Sequence, residues 1–327
     1  MMDRRSFVGA PLAAMLVAPL AARAQTAATV RRIGLLSGGA RPTPAEMQEQ
    51  FAPLRALGWV IGQNVHIEER YANGSAEFLV PMAEELVRLK VELIATGGTD
   101  ATLAAKKATT NIPIIMQSSG DPVRAGLVAS LARPGGNVTG FSIVGPEIDA
   151  KRLTLLRELL PGLQRVGVLE NSTNLYYRAA RSEFERSCRS LGIQPIFVGV
   201  AAGAELESAV AEMARGRAQA LFVNRESLFF DNRAPLMSAA QRYALPTLAG
   251  NKEMLEAGAL VYYANSDAEQ DQRVAAFIDR ILRGAKPADL PIEQPTKFEL
   301  GINLKVAKAL RIVIPPALLQ RADEVIQ

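Results

Sequence analysis

The chain has one histidine and one cysteine among 327 residues, and these two scarcities remove much of the usual enzyme chemistry. His66 lies in a predicted strand (Val65-His66-Ile67). Zinc sites that need two histidines, and His-Glu-x-x-His helices, are therefore excluded. A Ser-His-Asp triad could use only His66, and no Gly-x-Ser-x-Gly elbow is present. The dipeptide Gly-Lys does not occur, so there is no P-loop, and no Gly-x-Gly-x-x-Gly follows the first strand; no cofactor and no metal are expected. Cys188 permits no internal disulfide and reads as a small, partly buried side chain in the helical stretch Phe184–Arg189. Charge of one sign is also short of clusters, for no run of five like charges occurs. The formal net charge of +4 lacks the concentrated basic face of a nucleic-acid binder. Acid pairs such as Glu68-Glu69 and Glu84-Glu85 read as solvated surface. A hydrolase built on paired carboxylates needs no motif and stays open.

The first 24 residues have the layout of a bacterial export signal. Arg4-Arg5-Ser6-Phe7 is a twin-arginine start, Val8 to Ala22 is uncharged and apolar, and Ala22-Arg23-Ala24 offers a cleavage site before Gln25. Gly9, Pro11 and Pro19 interrupt the apolar stretch, which is too short to span a bilayer comfortably. An uncleaved anchor is the alternative. No cysteine follows the cleavage site, which argues against a lipoprotein. The expectation is a cleaved leader, no membrane insertion afterwards, and residence in the periplasm. Removing the leader leaves 303 residues and lowers the formal charge to +2. That length suggests two domains. With 49% hydrophobic residues the chain can bury two cores.

Short β-branched runs alternate with amphipathic helical segments. Strands are expected at Val30–Ser37, Asn64–Tyr71, Val91–Thr96 and Pro113–Gln117, with helices at Pro44–Leu57, Ala76–Lys90 and Asp100–Thr109 between them. The rhythm restarts after a junction near Gly140–Pro146, with strands at Arg165–Leu169, Gln194–Gly199 and Ala218–Val223 and helices at Asp149–Leu160, Leu175–Leu191 and Ala204–Arg215. Such a βαβα order implies parallel sheets covered by helices on both faces. Strand-like pieces return at Pro246–Leu248 and Leu260–Tyr263. Asp267–Leu282 is a strong helix, its Val274, Phe277, Ile278 and Ile281 spaced i, i+3, i+4, i+7. A proline-rich loop, a strand at Lys297–Asn303 and a helix at Leu304–Leu310 follow. The fold class is α/β, two Rossmann-like lobes joined by crossovers. One lobe is expected from residues 25–142 with about 266–284, the other from 143–265 with about 295–327.

Small polar loops recur at the carboxyl ends of the strands: Ser37-Gly38-Gly39, Thr96-Gly97-Gly98-Thr99, Ser118-Ser119-Gly120-Asp121, Asn171-Ser172-Thr173-Asn174 and Asn224-Arg225-Glu226-Ser227. That edge of an open α/β sheet is where ligands bind. Glycine admits close approach to the backbone, and helix N-terminal N–H groups favour an anion. Each loop taken alone also reads as a helix cap. A zwitterionic ligand needs an acid for its ammonium, because an unpaired buried charge is expensive. Asp121, Glu170, Glu226 and Glu253 are candidates. Tyr176, Tyr177, Tyr262 and Tyr263 would either stack on a ring or fill the core.

Five stretches carry a family resemblance: SGDPVRAGLVASLARPGGNVTG (Ser119–Gly140), AKRLTLLRELLP (Ala150–Pro161), LRGAKPADLP (Leu282–Pro291), PTKFELGINLKVAKAL (Pro295–Leu310) and PPALLQRADEVI (Pro315–Ile326). Over essentially the whole mature chain the sequence resembles the substrate-binding proteins of ABC transporters, in the branch with tryptophan- and tyrosine-binding members. The resemblance implies the type I periplasmic-binding fold, with three hinge crossings and a ligand in the cleft. It implies a small-molecule ligand, an ABC permease as partner, and no catalysis; nothing in the sequence demands more than a monomer. By position it puts Ser37, Thr96, Gly98, Thr99, Ser118, Ser119 and Asp121 on the first lobe's wall. Asn171, Thr173, Asn174, Asn224, Glu226 and Glu253 fall on the second. The α-carboxylate of an amino acid would fall to Thr99 and to Ser118 or Ser119. Loops 170–174, 224–227 and 249–253 depart from the commoner family pattern, so an aromatic amino acid is an available ligand and not a necessary one. A secreted enzyme using cleft carboxylates, or a sensor's ligand-binding partner, are the alternatives.

Overall fold

The computed structural model describes residues 30–143 and 146–327; the export signal lies outside the described residues. The first sheet is all parallel, in the order β2-β1-β3-β4-β5. Its strands are β1 (Arg31–Ser37), β2 (Val65–Tyr71), β3 (Leu93–Gly97), β4 (Ile114–Ser119) and β5 (Val138–Ser142). Apolar side chains point both ways along them, as a sheet covered on both faces requires. Ile33, Leu35, Leu93, Ala95 and Ile115 enter one core, and Leu36, Ile94, Ile114 and Met116 the other.

Helices α1 (Pro44–Gln50), α2 (Ala52–Ala56), α3 (Leu79–Arg88) and α4 (Thr99–Ala108) connect these strands. The sequence suggests one helix over Pro44–Leu57, but the chain breaks it at Phe51. Pro53 is the cause, since its ring displaces the carbonyl four residues back and it offers no N–H. The expected Ala76–Lys90 helix likewise opens with a tight turn, Ala76–Phe78, before α3 begins.

The second sheet has the order β12-β11-β10-β9-β8-β6-β7. Its strands are β6 (Arg165–Asn171), β7 (Gln194–Val200), β8 (Ala220–Val223), β9 (Thr247–Ala249), β10 (Val261–Asn265), β11 (Phe298–Asn303) and β12 (Glu324–Ile326). All neighbours are parallel except β10 and β11. Helices α5 (Pro146–Leu159) and α6 (Leu175–Ser190) cover one face through Leu153, Leu156, Phe184 and the buried Cys188. Helices α7 (Leu206–Arg215), α9 (Arg233–Arg242) and α10 (Glu253–Ala257) cover the other, and the short α8 (Ser227–Asp231) follows β8. The lone thiol is unreactive by placement, for burial pushes it up to about 12.

Helix α11 (Asp267–Leu282) leaves the second sheet and packs Val274, Phe277, Ile278 and Ile281 against the first. The chain then runs along β5, where the Glu293 N–H donates to Gly140 O at 3.0 Å and the Ser142 N–H to Glu293 O at 2.9 Å. It crosses back into β11, α12 (Leu304–Ala309) and α13 (Pro316–Leu319). Among the described residues the chain therefore changes sheet three times: between β5 and α5, between Asn265 and Ser266, and over 293–297.

Candidate functional site

All strands of the first sheet, and β6 to β10 of the second, run parallel within their sheet and end on one side, and the carboxyl ends of the two sets face one another. Between them lies a cleft of about 940 Å³, within the usual range of small-molecule sites.

The first wall comes from β1, β3, β4 and the start of α4. Ser37, Gly97, Gly98, Thr99, Gln117 and Ser118 line it. Gly98 caps α4 with φ +95°, a conformation that only glycine adopts readily, and this brings bare backbone to the surface. Thr99 Oγ1 accepts from the Gly120 N–H at 3.1 Å and lies 3.3 Å from Ser119 Oγ, which ties the α4 terminus to the end of β4. Ser37 Oγ accepts from the Gly39 N–H at 3.2 Å. This wall presents hydroxyls and N–H groups, the donors a carboxylate prefers.

The second wall is acidic. Glu226 is half-buried and accepts from Asn171 Nδ2 at 2.9 Å and Asn174 Nδ2 at 3.0 Å. Desolvation pushes its carboxyl above the usual range, against the two amide donors that favour the charged form. Next to it, Arg225 Nη1 stands 2.8 Å from Asp267 Oδ1 at the start of α11. Burial opposes the charge of that guanidinium, but Asp267, Glu253 and Asp271 together keep its pKa raised. Asn251 and Glu253 complete the wall. Asp271, one turn along α11 from Asp267, is pushed up to about 7 by desolvation, by Asp267 and by Glu49, with Arg225 acting the other way.

Of the residues expected from sequence, the main cleft gathers Ser37, Gly98, Thr99, Ser118, Asn174, Glu226 and Glu253. Asn171 and Thr173 instead line a side recess of about 50 Å³, where Thr173 Oγ1 donates to Asn171 Oδ1 at 2.7 Å. Thr96, Ser119, Asp121 and Asn224 are not in the lining. Thr96 is fully buried, with its hydroxyl 2.8 Å from Thr102 Oγ1. Ser119 is buried behind Thr99. Asp121 Oδ1 caps the N–H groups of Val123 and Arg124, both at 3.0 Å. Asn224 is buried beneath the loop it opens. Glu170 pairs with Arg181, Tyr262 fills the core, and Tyr263 stacks on Phe298 at 5.7 Å. The side chains of Tyr176 and Tyr177 lie outside the described residues.

Arg225, Asn251, Asp267 and Asp271 are cleft residues that the sequence reading did not single out as a group. Two of them sit on the polar face of a strongly amphipathic helix, where charge usually means solvent. Only the packing of α11 across the interlobe gap turns Asp267 and Asp271 toward a site. Neither histidine nor cysteine occurs among the described lining residues. Among the described residues no group of acids, histidines or cysteines could hold a metal ion, and no helix is long and apolar enough to cross a membrane.

Two α/β lobes with a polar cleft between their strand ends define the type I periplasmic-binding arrangement. Residues 48–326 match the family model described as ABC transporter substrate binding protein, and the chain belongs to that family. A tyrosine-binding protein of Clostridioides difficile (strain R20291) is 27% identical over 257 residues, 79% of this chain and 74% of the relative. The crystal structure of an ABC domain in complex with L-Trp from Streptococcus pneumonia superposes with a TM-score of 0.84 at 27% identity, covering 91% of this chain and 100% of that one. The ligand-free, open structure of a substrate-binding protein with adhesive properties from Clostridium difficile superposes less closely, with a TM-score of 0.65 at 23% identity over 91% and 100% of the two chains. The protein is thus a solute-binding receptor by family.

Proposed function

We propose that this receptor is exported to the periplasm, captures an amino acid or similar zwitterion between its lobes, and delivers it unchanged to an ABC permease. Lobe one comprises 25–142 with about 266–284, and lobe two 143–265 with about 295–327. The observation that carries the reading is the polarity of the cleft, with hydroxyl and N–H donors around Thr99 and Ser118 on one wall and the Glu226 carboxylate on the other. That arrangement suits a guest whose carboxylate faces one wall and whose ammonium faces the other. The tyrosine of one relative and the L-Trp held by another are of this class. The closer superposition on the L-Trp complex than on the open relative supports reading the lobes as closed. Export through the twin-arginine route rests on Arg4-Arg5-Ser6-Phe7. The protein acts as a monomer, and ligand shifts its open–closed balance through differential affinity alone.

Thermal unfolding with added solutes tests this. A ligand at about 100 times its dissociation constant adds about 2.7 kcal/mol, which should appear as a clear rise in melting temperature for a small set of amino acids. Silence across amino acids, nucleosides, sugars and aromatic acids would contradict the reading.

A further inference from the structure

The end of the cleft nearest α11 holds more acceptors than the protein satisfies. Glu253, Asp267 and Asp271 share one guanidinium, that of Arg225, and only Asp267 is in ion-pair contact with it. Glu253 and Asp271 form no ion pair among the described residues. Asn251 is only 5% exposed, lines the cleft, and its Oδ1 has no hydrogen-bond partner. Glu253 Oε2 is in the same position. Buried acceptors left without donors are destabilising, and native proteins rarely tolerate them without a partner. Both missing partners must be donors.

The other basic groups of the cleft are already engaged. Arg233 lies over the Phe230 ring at 4.5 Å and donates to Phe230 O at 2.9 Å. Arg41 pairs with Glu69, and Lys252 with Glu324. Phe230 is the one aromatic side chain among the described lining residues, so that lining has little with which to stack an indole or phenol. No three acids at this end form a group that could hold a metal ion.

We propose that the subsite formed by Asn251, Glu253 and Asp271 takes an organic cation, an ammonium or guanidinium carried on the ligand's side chain. Resting on the receptor reading above, this makes the ligand a basic amino acid and not an aromatic one. Its α-carboxylate meets Thr99 and Ser118, its α-ammonium meets Glu226, and its second cation fills the acidic end. Asp267 remains with Arg225 and holds the carboxylates apart. Burial supports the assignment, since Glu253 and Asp271 both have raised pKa values that a cation between them would bring back down.

Isothermal titration of the mature protein with L-lysine, L-arginine, L-tyrosine, L-tryptophan, L-methionine and L-glutamate tests the proposal. L-lysine or L-arginine should bind most tightly. Glu253→Gln and Asp271→Asn should each weaken that probe by about tenfold or more, as expected when one charged partner of a desolvated pair is neutralised. Their ligand-free melting temperatures should not fall, which separates a lost cation contact from a damaged fold. An aromatic or acidic amino acid binding more tightly than both cationic probes overturns the proposal and leaves the receptor reading standing. So does unchanged lysine or arginine affinity in both variants. No saturable heat from any probe sinks both.

Discussion

The backbone N–H of Ala40, after β1, donates to Asp231 Oδ2 at 2.8 Å, a bond that runs from the first lobe to the second. Arg124 and Glu183 join the lobes again at 2.7 Å. Gly39 approaches Ser227 so closely that a Cβ on it would lie 3.2 Å from the serine Cβ. All three contacts link the segment that carries the first sheet to the segment that carries the second.

Removing them should favour the open state. Such exposed pairs are worth about 0.2–1 kcal/mol each. Asp231→Ala, at the cleft rim, combined with Glu183→Gln should therefore weaken ligand binding by roughly two- to thirtyfold. Small-angle scattering should show a larger ligand-free radius of gyration in the double variant. An unchanged radius and affinity would show that these contacts do not hold the lobes.

Glu226 should be needed for an amino ligand in a pH-dependent way. Glu226→Gln should reduce affinity by about 2 kcal/mol or more, roughly thirtyfold, since it neutralises one half of a desolvated charge pair. Because desolvation raises the folded pKa of Glu226, its carboxylate takes up a proton above the ordinary range as pH falls. Parent affinity should accordingly begin to drop at a higher pH than a solvated glutamate would give. The Gln variant should lose that step, as calorimetry at several pH values would reveal.

Asp271 should make the ligand-free protein less stable as pH rises. Its folded pKa is raised from 3.8 to about 7, so the protonated form favours the fold. That contribution is fully present below the ordinary carboxylate range and is lost as pH climbs through about 7. Asp267 and Glu49 repel the charge that then forms, and Arg225 offsets part of the repulsion. Asp271→Asn should flatten the fall in melting temperature, which amounts to roughly 2–4 °C for each kcal/mol in a chain of this size class. A variant with the parent's pH profile would contradict this.

Gly140→Ala should damage the lobe junction. Gly140 has φ +124°, and a Cβ there would lie 2.4 Å from Met116 O and 2.6 Å from Met116 N. Both obstacles are backbone of β4, which cannot swing aside. A cost of about 3 kcal/mol would lower the melting temperature by roughly 6–12 °C. Melting alongside the parent would show the strand pair to be looser than described.

The strands of both sheets were largely legible from runs of β-branched residues, and α11 was legible to the residue from its i, i+3, i+4, i+7 spacing. Strand β5 was not, because Pro134, Gly135, Gly136 and Gly140 read as turn signals, and of its two neighbours only β4 is near in sequence while the other, around 290–293, lies far along the chain. Helix α9 and strand β12 were also missed; the first follows another short helix without a capping signal, and the second gets its pairing from β11 alone. The stretch from Ser119 to Gly140, the most recognisable in the sequence, turns out to be largely scaffold. Asp121 caps a turn, Thr139 Oγ1 donates to Leu290 O at 2.7 Å, and Gly140 sits against β4. Loop chemistry identified the first wall because its groups are local to strand ends. At the acidic end Glu253 and the loop around Arg225 were legible in the same way, but Asp267 and Asp271 were not, because they sit on the polar face of α11 and only the tertiary fold brings that face to the cleft.

The most direct test of the receptor account is calorimetric titration of the purified mature protein with free amino acids, followed by recovery of the bound molecule. The account predicts one saturable site per chain and a recovered solute chemically identical to the one added. Heat that never saturates for any of them, or a recovered molecule that has been altered, would contradict it.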